Sequence, residues 1–152
     1  MSDLQSGSTP VTDSPSDRVA DHTKRYLASG GADGHDWRGV PTLLLVTIGR
    51  TSGIGRRTAL IYGVDDSVPG RYVVVASKGG APEHPDWYLN LVANPEVELQ
   101  VKDDVFAGTA SVARGAERQR LWDLMAAIWP DYIAYATKTD REIPVVIVDR
   151  RA

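Results

Sequence analysis

Arginines, glycines and hydroxyl side chains that could hold an anion are concentrated between residues 49 and 58. This segment, GRTSGIGRRT, contains three arginines, three glycines and three hydroxyl residues between two apolar stretches. Glycines allow successive backbone N–H groups to converge, and guanidinium groups add fixed positive charge with several donors. We therefore predict an anion-binding loop suited to a phosphate. Taken alone, the segment could equally be a solvated hairpin turn whose arginines only aid solubility.

The loop does not match two common nucleotide-binding motifs. A P-loop that starts at Gly49 would need its second glycine at Ile54. A dinucleotide-binding motif that starts at Gly53 would need glycine at Thr58, and it should lead into a helix instead of a strand. Neither nucleotide fold is therefore expected.

A second basic, glycine-rich segment favours the anion-binding interpretation. Ser77, Lys78, Gly79 and Gly80 directly follow a predicted strand and again combine a hydroxyl, a cation and a flexible backbone. Two such loops at strand ends could hold one polyanionic ligand from two sides. A helix predicted from Asp86 would add its free N–H groups beside them.

Aromatic residues near these loops have both a structural and a ligand-binding interpretation. Trp87 and Tyr88 could fill the core, or they could pack against a flat ligand ring. Tyr132 and Tyr135 are three residues apart, so that both hydroxyls should face the same side of a helical turn. Taken alone, the two tyrosines are better explained as half-buried residues that close a barrel.

The chain has few groups of its own for catalysis. It has three histidines and no cysteine, and no nucleophilic triad or metal site can be assembled from them with conviction. His84 stands beside Glu83 and Asp86, but Pro85 crowds these side chains and poorly suits convergent ligation of a metal. If the protein is an enzyme, a cofactor should supply the difficult chemistry.

The elements that must position these residues are mostly short strands. We predict strands over residues 42–48, 58–64, 71–77, 96–102, 105–112 and 144–149. Several of the connections are short and turn-like, so neighbouring strands should pair antiparallel. Only two helices are predicted among them, over residues 86–93 and 116–129. The pattern predicts an α+β fold with a small antiparallel barrel of six strands.

Composition is that of one globular domain. The 152 residues are 42% hydrophobic and 24% charged, with a net charge of −3, which argues against a nucleic-acid partner. No apolar run approaches the roughly 18 residues of a membrane span, so we expect a cytoplasmic protein. At most, the amphipathic start could associate weakly with the inner face of the cell membrane.

Three regions are expected along the chain. Residues 1–16 are polar and should form a disordered tail. Residues 17–35 should form an amphipathic helix, capped by Ser16 and ended by Gly30 and Gly31, and a linker. Residues 36–152 should form the barrel domain. The helix is expected to be an appendage to that domain.

Four motifs in the same order resemble the coenzyme F420 (deazaflavin)-dependent nitroreductase and quinone reductase family of actinobacteria. They are GRTSG at residues 49–53, ASKGGA at 76–81, HPDWYLNL followed by ANP at 84–95, and TDREIPV at 139–145. The resemblance spans about residues 40–149. It implies an FMN-binding split-barrel-like fold that binds F420, a deazaflavin whose tail carries a phosphate and glutamates. This tail agrees with the loop composition above.

The resemblance also implies which residues contact the coenzyme and the acceptor. Contacts to the phosphate and tail would fall on Arg50, Thr51, Ser52, Arg56, Arg57 and Thr58, with Lys78 adding charge. Contacts to the ring and ribityl chain would fall on Ala59, Leu60, Ile61, Val75, Ala76, Ser77, Lys78, Asp86, Trp87, Tyr88, Leu89 and Asn90. Tyr132 matches a tyrosine over the pocket that meets substrate or coenzyme. Many relatives have lysine in place of Thr51, and some have tyrosine in place of Ile61.

The function so implied is hydride transfer from reduced F420 to a quinone or nitroaromatic acceptor. Ser77, Tyr132 and Tyr135 are the candidate catalytic residues, because a hydroxyl donor could stabilise charge on an acceptor oxygen. Two alternatives are a non-catalytic F420 carrier and an FMN-dependent enzyme on a related barrel. A monomer is slightly favoured over a homodimer.

Overall fold

The computed structural model describes residues 11–13, 17–37 and 39–151. Within these ranges the chain forms nine strands and four helices. The strands are β1 (Val11–Asp13), β2 (Asp36–Trp37), β3 (Val40–Ile48), β4 (Gly55–Ile61), β5 (Gly63–Val64), β6 (Arg71–Val75), β7 (Glu96–Val101), β8 (Asp104–Val112) and β9 (Val145–Arg150). The helices are α1 (Asp17–Ser29), α2 (Asp86–Ala93), α3 (Gly115–Ile128) and α4 (Asp131–Ala136).

The strands form one curled sheet in the order β1-β4-β3-β7-β8-β9-β6-β5, with β2 paired to β3. Every neighbouring pair is antiparallel except β1 and β4, which are parallel. The six predicted strands correspond to the six longest, and the predicted α+β fold is confirmed. The structure adds three short strands, β1, β2 and β5.

The expected disordered tail contains one ordered element. Val11–Asp13 pairs in parallel with Gly55–Arg57, so the prediction of a tail over residues 1–16 is wrong at this strand. The physical reason is that β4 would otherwise present unpaired N–H and C=O groups at the sheet edge. Residues 1–10 and 14–16, and with them the predicted Ser16 cap, lie outside the described residues.

The core has two parts because side chains alternate along the strands. In β9, Val146 and Val148 pack inside the curled sheet, together with Leu43 and Leu45 of β3. Val145 and Ile147 of the same strand point to the opposite face. There they pack with Leu121, Met125 and Tyr132 of α3 and α4. The sheet is therefore buried on both faces around β9 and β6.

Helix α1 belongs to this packed body and is not an appendage. Tyr26 is fully buried, and its hydroxyl donates to the carbonyl of Thr42 at 3.1 Å and accepts from the backbone N–H of Lys102 at 2.6 Å. Strands β3 and β7 diverge beyond their pairing of Leu44 with Gln100, and Tyr26 satisfies backbone groups that the gap exposes. Among the helices of the described ranges, none is long and apolar enough to cross a membrane.

Candidate functional site

The first part of the site is a cavity of about 400 Å³ at the loop between β3 and β4, which we call the anion cavity. The loop is closed by two backbone hydrogen bonds, from Gly49 to Ile54 at 2.8 Å and from Gly53 to Gly49 at 2.9 Å. Gly53 has a φ of 71°, a conformation that favours glycine. Seven predicted residues from this loop and from β4 face the cavity with side chain or backbone. They are Gly49, Arg50, Thr51, Ser52, Arg56, Arg57 and Thr58.

Helix α2 holds Arg50 in place. The buried Asn90 accepts through Oδ1 from the Arg50 backbone N–H at 3.1 Å and from Arg50 Nη1 at 2.9 Å. Asn90 also donates through Nδ2 to Thr47 Oγ1 at 3.2 Å, which fixes the orientation of its amide. Asp86 Oδ1 lies 3.3 Å from Arg50 Nη2. Thr47 of β3 therefore orients the amide of Asn90, and Asn90 in turn orients the guanidinium of Arg50. Asp86 forms an ion pair with the same guanidinium.

Arg57 faces a half-buried carboxylate two strands away. The register pairs Val46 of β3 with Arg57 on one side and with Glu98 on the other, which places Arg57 and Glu98 on the same face of the sheet. Burial raises the pKa of Glu98, and the charge of Arg57 lowers it in part. The anion cavity is thus lined by three arginines and by Asp86, and Glu98 lies near Arg57 on the same face of the sheet.

The second part of the site is a cavity of about 620 Å³, which we call the aromatic cavity. Strand β4 joins the two: Thr58 lines the anion cavity, whereas Ala59, Leu60 and Ile61 line the aromatic cavity. Trp87 lines both. A long ligand could therefore lie along β4, with an anionic end at the arginines and a flat ring beyond Trp87.

The loop after β6 forms one wall of the aromatic cavity. Lys78, Gly79 and Gly80 all have positive φ, of 46°, 62° and 84°. The side chain of Arg141 holds this loop by donating to the carbonyl oxygens of Ala76, Ser77 and Ala81 at 3.3, 2.8 and 2.9 Å. Ser77 and Lys78 line the cavity, and Lys78 pairs with Glu83 at 3.2 Å. Arg141 of the TDREIPV segment therefore has a structural role in this wall.

Two tyrosines of α4, which packs against this loop, also line the aromatic cavity. They are Tyr132 and Tyr135, and their rings meet edge to face with centroids 6.2 Å apart. Burial raises the pKa of Tyr132 well above its usual value, and the neighbouring Tyr135 adds to the shift. Tyr132 therefore stays protonated at neutral pH, so its hydroxyl can donate a hydrogen bond to a ligand.

Most of the predicted site residues face one of the two cavities, but three do not. Ala76 is fully buried, and Tyr88 packs against the core and against the ring of His84 with centroids 4.7 Å apart. Leu89, on α2, also lines neither cavity. For these three residues the ligand contact stays a prediction that the cavities do not support. Val75 lines the aromatic cavity and Asp86 lines the anion cavity.

The sequence reasoning missed residues from three other elements. His22 and Arg25 of α1, Trp37 of β2 and Trp129 after α3 also line the aromatic cavity. Trp37 and Trp129 lie with ring centroids 5.3 Å apart. No local motif marks them, and only the amphipathic pattern of α1 indicated that one of its faces would be covered.

The fold and the paired cavities define a split-barrel protein built to hold an elongated ligand with an anionic tail and a flat ring. The family assignment agrees with this class: the chain belongs to the F420H(2)-dependent quinone reductase family, whose profile matches residues 18–150. The match begins within α1, earlier than the sequence motifs had indicated. This family is one of oxidoreductases, and membership in it implies that the cofactor of this chain is coenzyme F420.

Individual relatives support the assignment. The F420H(2)-dependent quinone reductase Rv1261c of Mycobacterium tuberculosis is 39% identical over 134 residues, which cover 86% of this chain and 88% of the relative. A solved F420-H2 dependent reductase, FDR-A, is 44% identical with a TM-score of 0.65 and covers 72% of this chain and 94% of its own. A second solved relative, described as a domain-swapped dimer, is 41% identical with a TM-score of 0.68 and covers 90% and 100%. That relative lends no support to the expected monomer.

Proposed function

We propose that this protein transfers a hydride from reduced F420 to a quinone or nitroaromatic acceptor in the aromatic cavity. The observation that supports this most is the continuity of the two cavities along β4 and past Trp87. The anion cavity offers three arginines to a tail of phosphate and carboxylates. The aromatic cavity offers the rings of Trp37, Trp87 and Trp129 and of two tyrosines to a deazaflavin ring and to an acceptor.

The protein's own part in the reaction is binding and positioning. Arg50, Arg56 and Arg57 would hold the tail, and Trp87 would pack against the ring side of the coenzyme. When bound and reduced, F420 supplies a hydride, which is two electrons and one proton. A quinone then requires one more proton to become a hydroquinone. Closely packed aromatic walls would exclude water and keep the acceptor near its donor.

Tyr132 and Ser77 are the candidate donors to the acceptor oxygen. Both are nearly buried and both line the aromatic cavity. A hydroxyl hydrogen bond would stabilise the negative charge that develops on that oxygen as the hydride arrives. Tyr135 would support this arrangement by packing its ring against Tyr132. The final proton could come from a hydroxyl or from water.

The decisive experiment follows oxidation of reduced F420 by absorbance, under anaerobic conditions, with menadione as acceptor. We expect turnover that depends on both the acceptor and the protein. Binding of F420 by fluorescence titration without turnover would favour the carrier, whereas saturable binding of FMN but not of F420 would favour an FMN enzyme. Either result would refute the proposal.

The anion cavity is tested by replacing Arg56 and Arg57 with alanine. Exposed charge contacts are screened by salt, so the loss of F420 affinity should be larger at low than at high ionic strength. The matched control is Arg114→Ala, which removes an exposed cation that lines neither cavity. An equal loss at both salt concentrations would mean that the two arginines act through shape instead of charge.

A further inference from the structure

Helix α1 supplies a wall of the aromatic cavity that the family motifs do not contain. His22 and Arg25 line the cavity from this helix, and Trp37 lines it from the strand that follows. The segment between residues 22 and 37 therefore forms part of the aromatic cavity, whereas the anion cavity is formed by β4, the loop before it and α2.

This wall is held rigidly. Besides the buried hydroxyl of Tyr26, the Nε2 atom of His22 is hydrogen-bonded to the carbonyl of Gly34 at 2.6 Å. A Cβ atom at Gly34 would lie only 3.1 Å from the rings of both His22 and Tyr26, so the chain after α1 passes directly beneath the helix. The backbone that carries Arg25 is thus fixed at the cavity.

The same cavity is lined by several aromatic rings. The rings of Trp37 and Trp129 have centroids 5.3 Å apart and are inclined by 46°. Tyr132 and Tyr135 add two further rings from α4, which meet edge to face. An aromatic ligand can make stacked or edge-to-face contacts with individual rings of this kind.

Charge at this cavity is positive. Among the described residues that line it, Arg25 and Lys78 carry cations and none carries a carboxylate. Lys78, which the family resemblance assigns to the coenzyme, pairs with Glu83 at 3.2 Å, and Arg25 pairs with Asp33 at 3.7 Å with both side chains more than half exposed. An exposed ion pair of this kind is weak, so Arg25 can share its charge with a ligand.

We infer that the cavity prefers flat aromatic acceptors that carry an anionic substituent, and that Arg25 recognises this charge. The inference deepens the proposed quinone reduction and rests on it for the identity of the reaction. The aromatic surface would hold the ring of the acceptor, and the guanidinium at its edge would meet a sulfonate or carboxylate. Arg25 is thus a specificity residue for the acceptor and has no part in holding the coenzyme tail.

The test compares menadione with 1,2-naphthoquinone-4-sulfonate in three variants. Arg25→Gln removes the proposed contact, and Asp33→Asn removes the competing carboxylate. Lys24→Gln is the matched control, because it removes a cation from an exposed neighbouring position that does not line the cavity. Binding is measured by quenching of tryptophan fluorescence without coenzyme, and KM is measured with reduced F420.

For Arg25→Gln we expect a rise of about two- to fivefold in the Kd and KM of the sulfonate at low salt, the range of one exposed charge contact. The Kd and KM of menadione should be the same as for the parent protein. Asp33→Asn should shift the sulfonate values in the opposite direction, because the local charge becomes more positive, and Lys24→Gln should leave them unchanged.

Three outcomes would overturn the inference. They are an equal effect of Arg25→Gln on both acceptors, an equal effect of Lys24→Gln on the sulfonate, and a loss of F420 affinity in Arg25→Gln, which would assign Arg25 to the coenzyme. If the proposed function itself is wrong, reduced F420 will not be oxidised with either acceptor, which distinguishes that failure from the three outcomes above. The fluorescence measurements would still decide whether the cavity prefers the anionic ring.

Discussion

Replacement of Asn90 by alanine should weaken both folding and coenzyme binding, because this one amide joins the core to the anion cavity. Its side chain is only 3% exposed. Asn90→Ala removes the acceptor of Arg50 Nη1 at 2.9 Å and of the Arg50 backbone N–H at 3.1 Å. It also leaves the fully buried hydroxyl of Thr47 without the amide that donates to it at 3.2 Å.

The magnitude follows from these three hydrogen bonds. A buried polar group left unpaired costs about 1–3 kcal/mol, and a hydrogen bond to a charged group contributes about 1.5–3 kcal/mol. The Arg50 side chain is 37% exposed, so water replaces part of the lost contact. We expect the free energy of unfolding to fall by about 3 kcal/mol. The Kd for F420 should rise about tenfold, because Arg50 loses its fixed orientation and must be ordered on binding.

The assay pairs urea unfolding with fluorescence titration of F420, and Thr47→Val is the matched control. That variant removes the same buried bond from the side of β3 but leaves both contacts of Asn90 with Arg50. It should lose about 1–3 kcal/mol of stability but lose less affinity for F420 than Asn90→Ala does, because Asn90 keeps both contacts with Arg50. The reasoning is refuted if Asn90→Ala binds F420 as tightly as the parent protein, or if Thr47→Val loses affinity to the same extent.

Three further predictions concern other parts of the molecule. Tyr132→Phe should lower kcat with menadione on the order of 10²-fold while F420 affinity is retained. An unchanged kcat would mean that the Tyr132 hydroxyl has no role in the reaction. Asp65→Asn breaks a contact at 2.9 Å between the buried Asp65 carboxylate and the half-exposed Arg120 guanidinium. Arg120 holds the pKa of Asp65 below its usual range, so the stabilisation is complete above about pH 4 and is lost as the pH falls. In urea unfolding, the free energy of unfolding of Asp65→Asn should therefore be about 2 kcal/mol below that of the parent protein at pH 7, and this difference should be smaller at pH 3. A difference that stays the same at both pH values would contradict the prediction. Gly80→Ala would place a Cβ 2.6 Å from a backbone oxygen of α4, so its Tm should fall more than that of Gly79→Ala, whose Cβ meets nothing within 4 Å; equal Tm values would show that only the positive φ matters.

Much of the fold was predictable because it depends on local patterns. Alternating apolar residues predicted the six longest strands, and the helix predicted over residues 86–93 has those bounds in the structure. The helix predicted over residues 116–129 is shifted by one residue, to Gly115–Ile128. Glycines at Gly30 and Gly31 ended α1 as expected, since both have positive φ. The short strand β1 was not predictable, because its three residues are polar at two positions and depend on an open edge elsewhere.

The anion cavity was largely predictable because its arginines and hydroxyls lie within one loop and the strand that follows. The part of the aromatic cavity that Trp37 and Trp129 line was not. Trp37 and Trp129 are far apart in the sequence, and no spacing rule relates them. Ala76, Tyr88 and Leu89 belong to the matching motifs but line neither cavity. A motif identifies a segment, whereas the side that each residue presents depends on the packing of the whole segment.

The sequence by itself determined the order of the six longest strands and of α1, α2 and α3, the basic glycine loop and the family to which the chain belongs. These features depend on residue type and on near-neighbour spacing, which the linear chain contains in full. Only the tertiary structure decided that α1 is a wall of the aromatic cavity. Its anchor, Tyr26, makes hydrogen bonds to residues 16 and 76 positions away, and such contacts exist only after the sheet has curled and its strands have diverged.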